Sequence, residues 1–277
     1  TKLSQYYKNH GLPIDTQDII ITTGGSEALL FAMGSTMDAR EEIIIPEPFY
    51  ANYNGFSTAS GVKVVPVISG IETGFALPPI EAFEKLITPK TKAILICNPN
   101  NPSGKIFSYE ELEQLTSLCF TKNAWIISDE VYMDYCFMDD FTPISKLGYE
   151  KVISLHSIGK TFNISGITGS YFISNDRYML ETLKAYIISN GLANPNALYI
   201  TLVKSLYSSS THEWLEEIRS LIYSNYCILI DIIDNSYQPS ILEGTYCVTI
   251  NYEKLGITPS SMGNPSQYST AEGIQVS

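Results

Sequence analysis

Positive charge is what this chain has least of. Arginine occurs only as Arg40, Arg177 and Arg219, and 17 Lys and Arg face 29 Asp and Glu, for a net charge of −12. The corresponding pI is near 4.7. Such a balance excludes a nucleic acid or an anionic membrane surface as partner, because both need basic side chains to displace their counterions. Long apolar runs are missing as well: none approaches the roughly 18 residues a membrane-crossing helix requires. Thr1 to Lys8 show no signal-peptide pattern and no initiator Met, so an upstream segment is left open. Cys97, Cys119, Cys136, Cys227 and Cys247 form no CxxC pair and no metal spacing, which reads as reduced thiols in a cytoplasmic protein. His10, His156 and His212 form no ligand cluster, and no metal is expected.

What is present is a packed globular chain. Hydrophobic residues make up 44% of 277 positions, too many for a disordered protein and enough for one large domain or two ordinary ones. Short apolar runs alternate with helical patterns. Strands are expected at Asp18–Thr22, Glu42–Pro46, Val62–Val67, Ala93–Cys97, Ala124–Ser128, Lys151–His156 and Gly169–Ser174. Helices are expected at Ser26–Met37, Tyr50–Ser60, Pro79–Ile87 and Ser108–Phe120. Ser108 followed by Glu111 forms a capping box for the last of these. Continuous apolar strands between helices imply a three-layer αβα architecture on a mostly parallel sheet. From 175 to 234 the pattern turns helical, with a long amphipathic helix over Thr211–Ile222 and a strand at Glu243–Ile250 beyond it. Residues 259–277 lack periodicity and are expected to be poorly ordered.

In a sheet of this kind, ligands bind beyond the carboxyl ends of the strands. Four segments rich in chemistry fall there. Thr23-Gly-Gly-Ser-Glu-Ala28 joins a strand to a helix, where glycines and free N–H groups suit a phosphate. Asn98-Pro-Asn-Asn-Pro-Ser-Gly104 places amides on a proline-fixed turn. Ser128-Asp-Glu-Val-Tyr132 puts a carboxylate at a depth where it needs a cationic or N–H partner. Ser157-Ile-Gly-Lys160 sets an amine between two apolar strands, where partial desolvation favours its neutral, nucleophilic form and Schiff-base chemistry.

Together and in this order, these motifs resemble the class I/II aminotransferases, fold-type I enzymes of pyridoxal 5′-phosphate (PLP), over roughly residues 10 to 250. The resemblance implies an aspartate aminotransferase-like fold. Its PLP-binding large domain would span 1–205, with the N-terminal arm missing, and a partial, smaller C-terminal domain would span 206–277. It implies that Lys160 forms the aldimine and shuttles the α-proton, and that Asp129 pairs with the pyridine nitrogen. Tyr132 and Asn101 would bond the cofactor O3′, and Tyr50 would stack on its ring. Gly25, Ser26 and Ser157 would hold its phosphate. The substrates implied are an L-amino acid and a 2-oxo acid, and the assembly implied is a homodimer.

Two departures bear on this. Eight residues after Lys160, where the family carries a phosphate-binding arginine, stands Thr168. Threonine cannot replace a bidentate charged contact, so weaker cofactor binding is expected. No arginine follows residue 219 in this sequence, where the family carries one that grips the substrate carboxylate; either the chain is a fragment or divergent copy, or another group reads the substrate. Thr161 to Gly166, Gly191 to Asn196, Glu213-Trp-Leu215 and Glu243-Gly-Thr-Tyr246 are also similar to the cystathionine β-lyase-like branch, which expels a thiol by elimination. The alternatives to transamination are therefore a PLP-dependent C–S β-lyase and a PLP-fold protein with impaired catalysis.

Overall fold

A computed structural model describes residues 2–251 except 10, 139–140, 168, 193–196, 208 and 234–236. The tail expected over 259–277 and the residue at 168 lie outside the described residues. The elements, in chain order, are α1 (Lys2–Asn9), β1 (Ile19–Thr22), α2 (Gly25–Thr36), β2 (Glu42–Glu47), α3 (Asn52–Ala59) and β3 (Lys63–Ile68). Then come α4 (Ile80–Leu86), β4 (Thr91–Cys97), α5 (Tyr109–Lys122), β5 (Trp125–Asp129), β6 (Val152–Ser157) and α6 (Ile158–Thr161). The last are β7 (Ser170–Ile173), α7 (Arg177–Ser189), α8 (Ala197–Leu206) and α9 (Ser209–Ile232).

One sheet of seven strands, in the order β1-β7-β6-β5-β4-β2-β3, organises the molecule. From β6 to β3 every pairing is parallel; β7 runs antiparallel to both β6 and β1. Strands β1, β2, β4, β5 and β6 therefore all end at one edge of the sheet, and β7 begins there. The αβα layering follows from side-chain alternation along each strand. Ile43, Ile45, Ala93, Leu95 and Ile127 enter one core with Ala28, Ala32, Tyr53 and Leu183 of α2, α3 and α7. Ile44, Ile94, Ile96 and Ile126 enter the other with Phe83, Leu112 and Leu115 of α4 and α5. Each such isoleucine contributes about 1.5–3 kcal/mol by leaving water. That gain on both faces explains why these strands read as unbroken apolar runs.

The capping box forms: Ser108 Oγ accepts from Glu111 N–H at 3.2 Å, and Glu111 Oε2 accepts from Ser108 N–H at 2.7 Å. Three expectations change. Lys160 sits on the one-turn helix α6 rather than on an open turn. The long amphipathic helix runs further, over Ser209–Ile232. Residues 243–250 form no strand; they touch the rest by isolated bonds, including a bridge between Cys136 and Gly244. Single backbone bonds, from Gly244 to Gly104 and from Thr245 to Tyr135, hold this segment where a strand was expected. Helix α1, largely polar, is not among the helices the sequence pattern marked. Among the described residues no helix is long and apolar enough to cross a membrane.

Candidate active site

The five strand ends converge on a cavity of about 230 Å³. Gly25, Ser26, Tyr50, Asn101, Asp129, Tyr132, Ser157 and Lys160 all line it. The sequence had singled out each of these eight, and the fold brings every one of them together.

Asp129 closes β5, in register with Cys97 of β4 and Leu155 of β6, which fixes it at the sheet edge. It is 5% exposed. Its Oδ2 accepts from the Tyr53 hydroxyl at 2.7 Å and its Oδ1 from Val131 N–H at 3.4 Å. Burial pushes its carboxyl above the usual range, opposed by the Tyr53 hydrogen bond, the Val131 N–H and the charge of Lys160. Among the described residues it forms no ion pair. Tyr132, on the turn after β5, is buried and accepts from Asn101 Nδ2 at 3.4 Å. Burial, and then its neighbour Tyr246, push the Tyr132 phenol upward.

The asparagine loop divides its labour. Asn98 Oδ1 accepts from Phe107 N–H at 2.9 Å, and Asn100 Oδ1 accepts from Ser103 N–H and Oγ at 3.2 and 2.8 Å. Those two amides build the turn, and Asn101 is the one that reaches the cavity. Tyr50, half-buried, packs edge-on against Tyr53 at 5.6 Å.

Lys160 follows β6. Helix α6 is pinned by Phe162 N–H to Ile158 O at 3.0 Å and by the Tyr135 hydroxyl to Thr161 O at 3.0 Å. The Lys160 amine lies 5.7 Å from the Tyr132 ring centroid. Helix α2 starts at Gly25, and Gly24, Gly25 and Ser26 line the cavity. Ser170 opens β7 between Thr22 and Ser157. Its Oγ is fully buried without a hydrogen-bond partner, 3.7 Å from where a Cβ on Gly25 would stand.

Three site neighbours escaped the sequence reading. Tyr53 and Ser170 are two. The third is a buried pair behind Asp129: Glu130 Oε2 and His156 Nε2 face each other at 3.7 Å, each without a hydrogen bond. Burial raises Glu130 to about 8 and lowers His156 to about 3, so the pair is neutral rather than ionic.

A family model, Aminotransferase class I and II, matches residues 1–254. The chain belongs to that family. A Saccharomyces cerevisiae aminotransferase named "Probable kynurenine--oxoglutarate transaminase BNA3" is 30% identical over 268 residues, covering 91% of this chain and 60% of that protein. The cystathionine beta-lyase PatB of Bacillus subtilis is 27% identical over 229 residues, covering 78% of this chain and 57% of its own. This family member thus spans less than two thirds of the length of the curated relatives it matches. A PLP-bound structure from Clostridium difficile 630 superimposes with a TM-score of 0.89 over 99% of this chain and 76% of the other, at 22% identity. That likeness fixes the fold as aspartate aminotransferase-like.

Proposed function

We propose that the protein is a PLP-dependent aminotransferase that moves an amino group from an L-amino acid to a 2-oxo acid. One observation carries this reading: an amine, Lys160, and a buried carboxylate without an ion pair among the described residues, Asp129, line the same cavity. A buried anion of this kind suits a pyridinium N–H. Gly24, Gly25 and Ser26 at the α2 N-terminus line the same cavity and suit a phosphate. The residues present therefore fit PLP, which when bound supplies an electron sink for the α-carbon.

The roles follow from position. Lys160 Nζ takes the substrate α-proton and returns it, being the amine of the cavity. Asp129, oriented by Tyr53, holds a proton on the ring nitrogen. As the family resemblance implies, Tyr132 and Asn101 would bond the cofactor's ring oxygen and Tyr50 would pack against its ring; all three line the cavity. The α2 amides with Gly25, Ser26 and Ser157 hold the phosphate. A homodimer in the cytoplasm belongs to the same proposal.

Absorbance spectra with added PLP test it. A visible band, with borohydride fixing the cofactor on Lys160, is expected; its persistence in Lys160→Ala would sink the reading. Amino-acid turnover should require an added 2-oxo acid. Ammonia release without one would instead indicate β-elimination, the chemistry that the PatB name prints for that relative.

A further inference from the structure

We propose that Tyr246 is a positioning residue whose hydroxyl holds the Lys160 amine, and that residues 240–251 are docked on the asparagine loop in order to place it. The proposal rests on the assignment of Lys160 as the reacting amine. Lys160 Nζ donates to Tyr246 Oη at 3.5 Å. The Tyr246 ring stands edge-on to Tyr132 at 5.3 Å and to Tyr135 at 5.8 Å, and Tyr132 and Tyr246 are the two phenols beside the amine.

Tyr246 packs on the buried Tyr132 and Tyr135 yet stays 46% exposed. Its backbone is what is fixed. Gly244 N–H donates to Gly104 O at 2.8 Å, Thr245 N–H to Tyr135 O at 2.9 Å, and Phe137 N–H to Glu243 O at 2.8 Å. Glu243 pairs with Lys105 at 2.8 Å and accepts from Ile106 N–H at 2.9 Å. Thr249 Oγ1 donates to Pro102 O at 3.1 Å. Gly244 lies so close to the loop that a Cβ would meet Pro99 at 2.5 Å. Thr245 adopts φ 64°, a left-handed conformation that a β-branched residue holds only when its surroundings impose it. These contacts spend strain and close packing on one outcome, the aim of the next residue. A segment serving only to cover the loop would need neither.

The hydroxyl lowers the freedom of the amine and accepts its proton-bearing hydrogen bond. Lys160 must leave Tyr246 to attack an electrophile. Loss of the hydroxyl should therefore make Lys160 more reactive in the cofactor-free protein, while an aromatic ring in the same place keeps the packing.

The experiment is site-resolved acylation of the full chain at pH 8 with an acetylating reagent, read by peptide mass spectrometry. Exposed Lys63 serves as internal standard. Tyr246→Phe should raise the Lys160 rate roughly threefold to tenfold relative to Lys63, the effect of losing one hydrogen bond. Glu243→Gln, which keeps the phenol but loosens its anchor, should raise it less. Equal Lys160 rates in wild type and Tyr246→Phe would overturn the proposal, as would a larger effect of Glu243→Gln than of Tyr246→Phe. Borohydride fixation of PLP on Lys160 in both proteins is measured in parallel. Its absence in wild type defeats the PLP reading alone, since the acylation rates judge the contact without cofactor.

Discussion

Glu130 sits one position after Asp129, yet its environment gives it a different charge. Its Oε1 accepts from Ile144 N–H at 2.9 Å and from Ser128 Oγ at 3.0 Å, while Oε2 faces His156. His156 Nδ1 lies 3.1 Å from Met133 Sδ, which can only accept, so that nitrogen carries the proton and Nε2 presents a lone pair to Glu130. A protonated Glu130 matches that lone pair, while the carboxyl of Asp129 keeps the Tyr53 and Val131 donors at the end of β5. Folding stability should record this. A carboxyl raised to about 8 contributes stability fully below its unfolded value near 4.5 and loses it as pH rises through 8. Imidazole lowered to about 3 acts on the acid side, losing stability as pH falls below about 6.5. Glu130→Gln keeps both accepted bonds and supplies an N–H to His156 Nε2. It should stabilise the fold at pH 8 by a few kcal/mol, of order one pKa unit's 1.4 kcal/mol taken several times, and leave pH 5 nearly unchanged. Urea unfolding at the two pH values checks this; an unchanged slope between them would contradict it. His156 keeps its own slope below about 6.5 in the variant, and Asp129, raised as Glu130 is, contributes in the direction that Glu130 did.

Helix α8 lies against the start of β7, and a single glycine sets how closely. A Cβ on Gly169 would overlap the ring of Tyr199, which is 1% exposed and cannot swing away. Gly166, three residues earlier in the same loop, has open space where its Cβ would be. Gly169→Ala should therefore cost about 1–3 kcal/mol by overpacking, and Gly166→Ala close to nothing. Thermal melts of the two variants compare them directly, and equal melting temperatures would refute the packing argument. The same contrast explains what the sequence could reveal. Strands such as Ala93–Cys97 and Ala124–Ser128 were legible because both of their faces are buried, which leaves an unbroken apolar run between turn residues. Residues of the candidate site were legible where a strand end coincided with a motif. Tyr53 was not, because its bond to Asp129 spans 76 positions and depends on how α3 lies over the sheet. Nor were Ser170 and Tyr246: one is a serine at a strand start, the other a tyrosine on a loop, and only their tertiary neighbours distinguish them. The strand expected at Glu243–Ile250 did not form, because these residues bond singly to the asparagine loop and to the turn after β5.

At the scale of the whole molecule, an anionic cofactor must approach a chain of net charge −12. Among the described residues that line the cavity, Lys160 is the one cation. The phosphate is left with helix amides and hydroxyls, which are dipoles and act only at contact, whereas the net charge acts over the Debye length of about 10 Å in 0.1 M salt. An arginine-clamped site gains its on-rate from local attraction and loses it as salt is added. Here the long-range term is repulsive, so screening should help. Stopped-flow formation of the PLP absorbance band is expected to accelerate several-fold between 0.02 and 0.5 M salt, within the roughly tenfold and larger range over which steering acts. Equilibrium affinity should be weaker than micromolar for the same reason, and removing the phosphate, by offering pyridoxal, should cost less than at a site with a guanidinium partner. An on-rate that falls with salt would mean that the phosphate meets a cation after all, and with it the argument from missing arginines would fail.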